Sequence, residues 1–205
     1  RGGTLTPPLA TVTVPTIARD YRTNHFGILL DQRTTAIQRR ANIFAEGPSL
    51  AEGSGEVGML LRRHLGPPPC RVLDVGCAKG FLVKDLLALG IDAYGLDISH
   101  YGLMHCEPEV VGRLHLGSAD ILPFPDGSFA AVLSLNTIHN LSRERCKIAL
   151  QEMQRLAPGK GFVQVDSFRT PQQKELFESW VLTAEFYDYP NGWISLFVEA
   201  GYTGD

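Results

Sequence analysis

The chain has 205 residues, 44% of them apolar, and a formal net charge of −3. With a pI near 6.1 and no basic block, it lacks the electrostatic footprint of a nucleic-acid binder, so no DNA partner is expected. No apolar run reaches membrane-spanning length and no signal peptide is visible, so no membrane partner is expected either.

The length suits one domain with an appended cap, divided as residues 1–55 (leader and cap helix) and 56–205 (the main domain). Residues 1–16 are Thr/Pro-rich and read as an extended or disordered leader. Residues 17–44 are weakly helical. Within them Tyr21, Asn24, His25 and Phe26 form a polar-aromatic cluster that suits a helix on a sheet edge or a lid over a ligand. A loop over 47–55 leads to an amphipathic helix at 56–65, stopped by Gly66-Pro67-Pro68-Pro69.

Strand and helix patterns then alternate. Strands are expected at 71–75, 93–97, 113–116, 129–135 and 162–166. Between them fall helices at 80–89 (ending at Gly90), 99–104 (capped by Ser99) and 142–156 (capped by Ser142). The apolar positions of the last are read as Ile148, Leu150, Met153 and Leu156. A helix at 171–183 and an aromatic-rich loop with Phe186, Tyr187, Tyr189 and Trp193 follow. Repeated βα units of these lengths imply an α/β fold: a Rossmann-like three-layer sandwich with a mainly parallel sheet and helices on both faces. Cys70, Cys77, Cys106 and Cys146 form no C-x-x-C pair and read as reduced thiols of a cytoplasmic protein.

The stretch from Val72 to Leu82 places a buried strand, a glycine-bounded turn and a helix start in succession. Open α/β sheets bring backbone close to a ligand with this arrangement. A dinucleotide fingerprint would put its third glycine at position 81, which is Phe81. The spacing of Gly76, Ala78 and Gly80, with Asp74 two residues ahead, instead resembles the first motif of the class I S-adenosylmethionine (SAM) dependent methyltransferases. That motif usually reads G-x-G-x-G, so Ala78 is a departure, expected to narrow the turn slightly. Gly117 to Phe124 resembles the family's G-D-A-x-x-L-P-F segment, although its acid, Asp120, stands two places beyond the first acid of that pattern. Phe124 to Asn136 resembles the fourth-strand region. The base-pocket tetrapeptide of amino-methylating relatives is replaced by Asn136-Thr137-Ile138-His139, which argues against a flipped-base substrate. The resemblance covers about 72–167.

The resemblance implies SAM as cofactor, with Gly76, Cys77, Ala78 and Gly80 lying along its amino-acid end and Asp74 orienting the methionine amino group. Asp97 would hold the ribose and Asp120 the adenine amine. Ile98, Ala119, Ile121 and Asn136 complete the implied cofactor site. His139, after the fourth core strand, is the histidine placed to take a proton from a hydroxyl acceptor. Packing or capping at the next helix is an equal alternative for it. No metal site is expected, since His100 and His105 lack an evident third ligand.

The function expected is methyl transfer from SAM to a small-molecule acceptor, with the aromatic segment as a pocket wall. Alternatives are a non-catalytic SAM-binding module, a nicotinamide-dependent oxidoreductase, and a methyltransferase acting on protein or RNA. The last would call for a basic face from Arg22, Arg33, Arg39 and Arg40. The family's final hairpin, with its antiparallel strand, is missing after Gly201-Tyr202. The C-terminal strands therefore look truncated and the natural protein is expected to be longer.

Overall fold

The computed structural model describes residues 11–13 and 70–205. The expected cap helix, the cluster around Tyr21, the amphipathic helix and the four N-terminal arginines lie outside them.

The elements are β1 (Thr11–Thr13), β2 (Arg71–Val75), α1 (Phe81–Ala88), β3 (Asp92–Asp97), α2 (His100–Met104), β4 (Leu114–Leu116), β5 (Ala131–Leu135), α3 (Arg143–Leu156), β6 (Gly161–Asp166), α4 (Pro171–Trp180) and α5 (Pro190–Ala200). Single 3-10 turns at Pro108–Val110 and Ile138–Asn140 join them. The six strands lie in the order β1-β6-β5-β2-β3-β4, and all neighbours run parallel except β1 on β6. The expected three-layer α/β architecture is therefore present.

Each strand alternates between two apolar layers. Leu73 and Val75, Val132, Val163 and Val165 face a core with α3 and α5. Val72, Ala131, Leu133 and Phe162 face a second core with Val83 and Leu86 of α1. Burial on both faces is why these segments read as continuous apolar runs. Helix starts follow local chemistry: Ser99, Ser142 and Thr170 each accept a backbone N–H of their own first turn.

Three expectations are corrected. Residues 190–200, read as part of a loop, form α5: Pro190 occupies its first turn and Gly201 ends it in the left-handed region. Helix α4 stops at Trp180 rather than 183. On α3 the inward positions are Cys146, Ala149, Leu150, Met153 and Leu156, while Ile148 is exposed, so the apolar stripe is rotated from the one expected.

The edge of β6, expected to lack its antiparallel partner, is paired. Thr11–Thr13 lies antiparallel on residues 164–166. Asp205 donates its backbone N–H to the Gly161 carbonyl and accepts from Val163 N–H, both at 2.8 Å. Among the described residues no helix is long and apolar enough to cross a membrane.

Candidate active site at the carboxyl edge of the sheet

Parallel sheets bind ligands outside the carboxyl ends of their strands. Here β2 runs out into Gly76, and the next five residues form a turn whose alternate members all have positive φ: Gly76 at 87°, Ala78 at 50° and Gly80 at 82°. This explains the family's three glycines. Ala78 was expected to affect the width of the turn; its cost lies instead in the backbone, because a β-carbon in the left-handed region costs about 1–2 kcal/mol. Gly76 has a second constraint. A Cβ there would fall 1.9 Å from the Thr137 hydroxyl oxygen, so Thr137 packs where a side chain would be.

The turn is tied to the end of β3. Gly76 N–H and Cys77 N–H both donate to the Leu96 carbonyl, at 2.7 and 3.2 Å. The Asp97 carboxylate accepts Ala78 N–H on one oxygen and Ser99 N–H on the other, each at 2.7 Å. Asp97 thus joins the glycine turn to the start of α2, and each oxygen keeps a lone pair for a further donor.

Asp74 is 4% exposed. Burial, and secondarily the charge of Asp97, push its pKa up to about 7. No donor among the described residues pairs with its carboxyl. Two acids therefore stand near one another without a cation. The Cys77 side chain turns away from the site and packs on Gly95, and burial raises its thiol pKa far above the usual range. Only its backbone is available to a ligand.

Ile98 and Ile121 project from the same rim, 71% and 72% exposed. Ala119, between them in sequence, presents no comparable surface, being buried. Asp120 has a partner that sequence reading missed. Arg145 of α3 grips it with Nε on one oxygen at 2.6 Å and Nη2 on the other at 3.0 Å. Ser118 Oγ also donates to Asp120, and the Arg145 ion pair holds its carboxyl below the usual range. Ten residues along the same helix, Arg155 donates to the carbonyls of Leu122 and Phe124 at 3.1 and 2.8 Å. The loop after β4 is therefore clamped to α3 at two points.

Asn136 ends β5 with φ of 52°, a left-handed conformation that asparagine tolerates better than most residues. Its backbone N–H donates to the Gln164 carbonyl at 2.9 Å, and Gln164 Nε2 reaches its Oδ1 at 3.5 Å. Gln164 is a second residue missed from sequence. The signal was present: an amide in the middle of the buried strand Phe-Val-Gln-Val-Asp.

His139 is 6% exposed, and burial lowers its pKa to about 4. Its carbonyl accepts Glu185 N–H and Phe186 N–H at 2.9 and 3.1 Å, so its backbone anchors the segment before α5. The aromatic segment itself divides. Trp193 and Phe186 meet edge to face with centroids 4.7 Å apart and belong to the core under α5. Tyr187 and Tyr189 join Phe168 and Phe177 in a separate cluster beside α4. The four residues do not form one wall.

This geometry coincides with the comparisons. Residues 73–165 match a protein family described as Methyltransferase domain. Magnesium protoporphyrin IX methyltransferase from Synechocystis, solved with bound S-adenosylhomocysteine (SAH), has the same fold: TM-score 0.60 at 17% identity, over 85% of this chain and 88% of that one. The YcgJ protein of Bacillus subtilis gives a TM-score of 0.59 at 18% identity, over 71% and 67% of the two chains. A probable tRNA methyltransferase 9B of Mus musculus is 33% identical over 116 residues, 54% of this chain. The match spans about a quarter (24%) of that relative's length. Residues 73–165 thus match a methyltransferase domain, and the fold is the one shared with solved class I methyltransferases, whose cofactor is SAM.

Proposed function

We propose that this domain transfers the methyl group of SAM to a small-molecule acceptor. The observation that carries the reading is the pair of acids beside the positive-φ turn. Asp74 is buried, close to Asp97 and without a donor among the described residues, so a ligand bringing a cationic amine would relieve both. Asp97 keeps acceptor capacity for ribose hydroxyls. Ile98 and Ile121 offer aliphatic surface for a flat ring, and the clamped loop of Ala119 and Asp120 would hold its edge. Asp120 would receive an adenine amine only on the lone pairs that Arg145 leaves. Gly76, the Cys77 and Ala78 backbone and Gly80 would line the amino-acid end.

SAM supplies an activated methyl: the acceptor's lone pair forms a bond to the methyl carbon as the carbon–sulfur bond breaks, its electron pair remaining on sulfur. The protein's part is alignment and exclusion of water. A hydroxyl acceptor would need a base. His139 follows β5 as required, but an imidazole with a pKa near 4 is a weak one, which favours an acceptor that is already nucleophilic.

A small acceptor is supported by the acidic charge balance and by the engagement of Arg71, Arg113, Arg143, Arg145 and Arg155 in ion pairs, which leaves them poorly placed for phosphates. The likeness to a tRNA methyltransferase favours RNA as a second reading. The test is a thermal melt with SAM, SAH and NAD in parallel, followed by labelled-methyl transfer to a metabolite extract and to total RNA. A Tm rise of about 5–10 °C with SAM and SAH, but not NAD, is the expected result. Label in RNA alone would establish the second reading. Binding of both sulfur ligands with no transfer to any acceptor would favour a non-catalytic module.

A further inference from the structure

We propose that Gln164, with Asn136, forms a hydrogen-bond-accepting wall at the methyl-transfer end of the site, so that the domain selects acceptors whose nucleophile carries an N–H or O–H. The inference rests on the SAM-binding reading above and deepens it.

Gln164 sits in the middle of β6, flanked by Val163 and Val165, and its side chain is fully buried. Nevertheless, among the described residues, its Oε1 has no hydrogen-bond partner. Buried carbonyl oxygens are rarely left without a donor, and an apolar residue would fill a strand interior at lower cost. The amide is therefore out of place unless something else supplies the donor. Its Nε2 contacts Asn136 Oδ1, and Asn136 is the half-buried, left-handed residue that ends β5. The two residues are also joined through their backbones, by Asn136 N–H to the Gln164 carbonyl.

Their position gives the pair its meaning. Thr137, next to Asn136, occupies the space beside Gly76, so the pair borders the glycine turn on the side away from Asp97. By strand alternation Gln164 shares the sheet face of Phe162, Leu133 and Val72, the face toward which Asp74 also alternates. In register Asp74 is level with Leu133, and Leu133 with Phe162. Gln164 therefore stands two strands over from Asp74, about 10 Å across the sheet, and two residues, about 7 Å, nearer the carboxyl edge. That interval accommodates a reacting methyl group and the atom that receives it. An N–H or O–H on that atom would complete Oε1.

The probe is sinefungin, a SAM analogue in which the methylated sulfonium centre is replaced by a carbon bearing an amine. Its amine occupies the methyl position and supplies N–H donors without any reaction. Calorimetric titration of wild type, Gln164→Met and Asn136→Gly with sinefungin and with SAH is the experiment. Asn136→Gly removes the side chain while suiting the positive φ, so it remains informative should Gln164→Met fail to fold. The expected result is a wild-type preference for sinefungin over SAH that falls about tenfold in each variant, with the SAH affinity of Gln164→Met changed by less than about twofold. An unchanged preference in the folded variants, or no preference in wild type, overturns the proposal while leaving SAH binding intact. Failure of wild type to bind either compound removes the SAM-binding reading and this inference with it.

Discussion

Arg145 holds Asp120 by two hydrogen bonds across 25 residues of sequence, and so fixes the loop after β4 against α3. Arg145→Met would leave a largely buried carboxylate without its cation, held only by Ser118 and backbone donors. The carboxyl's pKa lies below its ordinary value, so the pair's stabilisation is present above the unfolded carboxyl pKa, near pH 4, and disappears as pH falls through the folded value. The variant should therefore lower Tm at pH 7 and much less at pH 3, and it should weaken SAH binding. Equal Tm losses at both pH values would rule out the ion pair as the cause.

Asp74 titrates in the opposite sense. Its folded pKa of about 7 exceeds the unfolded value of 3.8, so the protein loses stability as pH rises from about 4 through 7. At 1.36 kcal/mol per pKa unit, the cost by pH 8 approaches about 4 kcal/mol. Asp74→Asn should stabilise the ligand-free protein most at pH 8 and flatten its stability profile. The same substitution should weaken SAM binding by roughly tenfold or more, because a charge-assisted hydrogen bond to the amino group is lost. A chemical denaturation series from pH 5 to 8, with SAM titrations alongside, measures both effects.

The turn gives a third prediction. Ala78→Gly removes the left-handed strain of an alanine at φ 50° but frees the unfolded chain, so a gain of about 0.5 kcal/mol is expected. Gly76→Ala should be far worse, by more than about 2 kcal/mol, since its Cβ would overlap Thr137 as well as meet a φ of 87°. Urea melts of the two variants should move in opposite directions.

His139 is the fourth. Its folded pKa near 4 lies below the ordinary 6.5, so the unfolded state binds the proton first and stability falls as pH drops from about 6.5 to 4. His139→Gln should reduce that acid sensitivity, which amounts to at most about 3 kcal/mol at 1.36 kcal/mol per pKa unit. Methyl transfer by wild type should show no inflection near pH 6.5 attributable to this group; an inflection there that vanishes in the variant would restore a base role.

How much of this was legible beforehand depended on the range of each interaction. Asp74, the turn from Gly76 to Gly80 and Asp97 form a local constellation, because a strand, a tight turn and a helix start leave their spacing in the chain. Helix α5 was hidden in the aromatic-rich segment read as a loop, although Trp193, Leu196, Phe197 and Ala200 repeat at helical spacing. The stripe on α3 was misjudged because Ile148 is more apolar than Cys146, and only the neighbouring α5 selects which of them faces inward.

The sequence alone determined the α/β alternation, the positions of the glycine turn and its acids, and the class to which they belong. All three depend on neighbours within a few residues or one βα unit. Tertiary structure decided what those groups meet. It placed Arg145 on Asp120, buried His139 until its imidazole became a weak base, and left the Gln164 oxygen beside Asn136 without a donor among the described residues. Pairing, desolvation and orphaned polarity arise between segments brought together by the sheet, and no spacing along the chain encodes them.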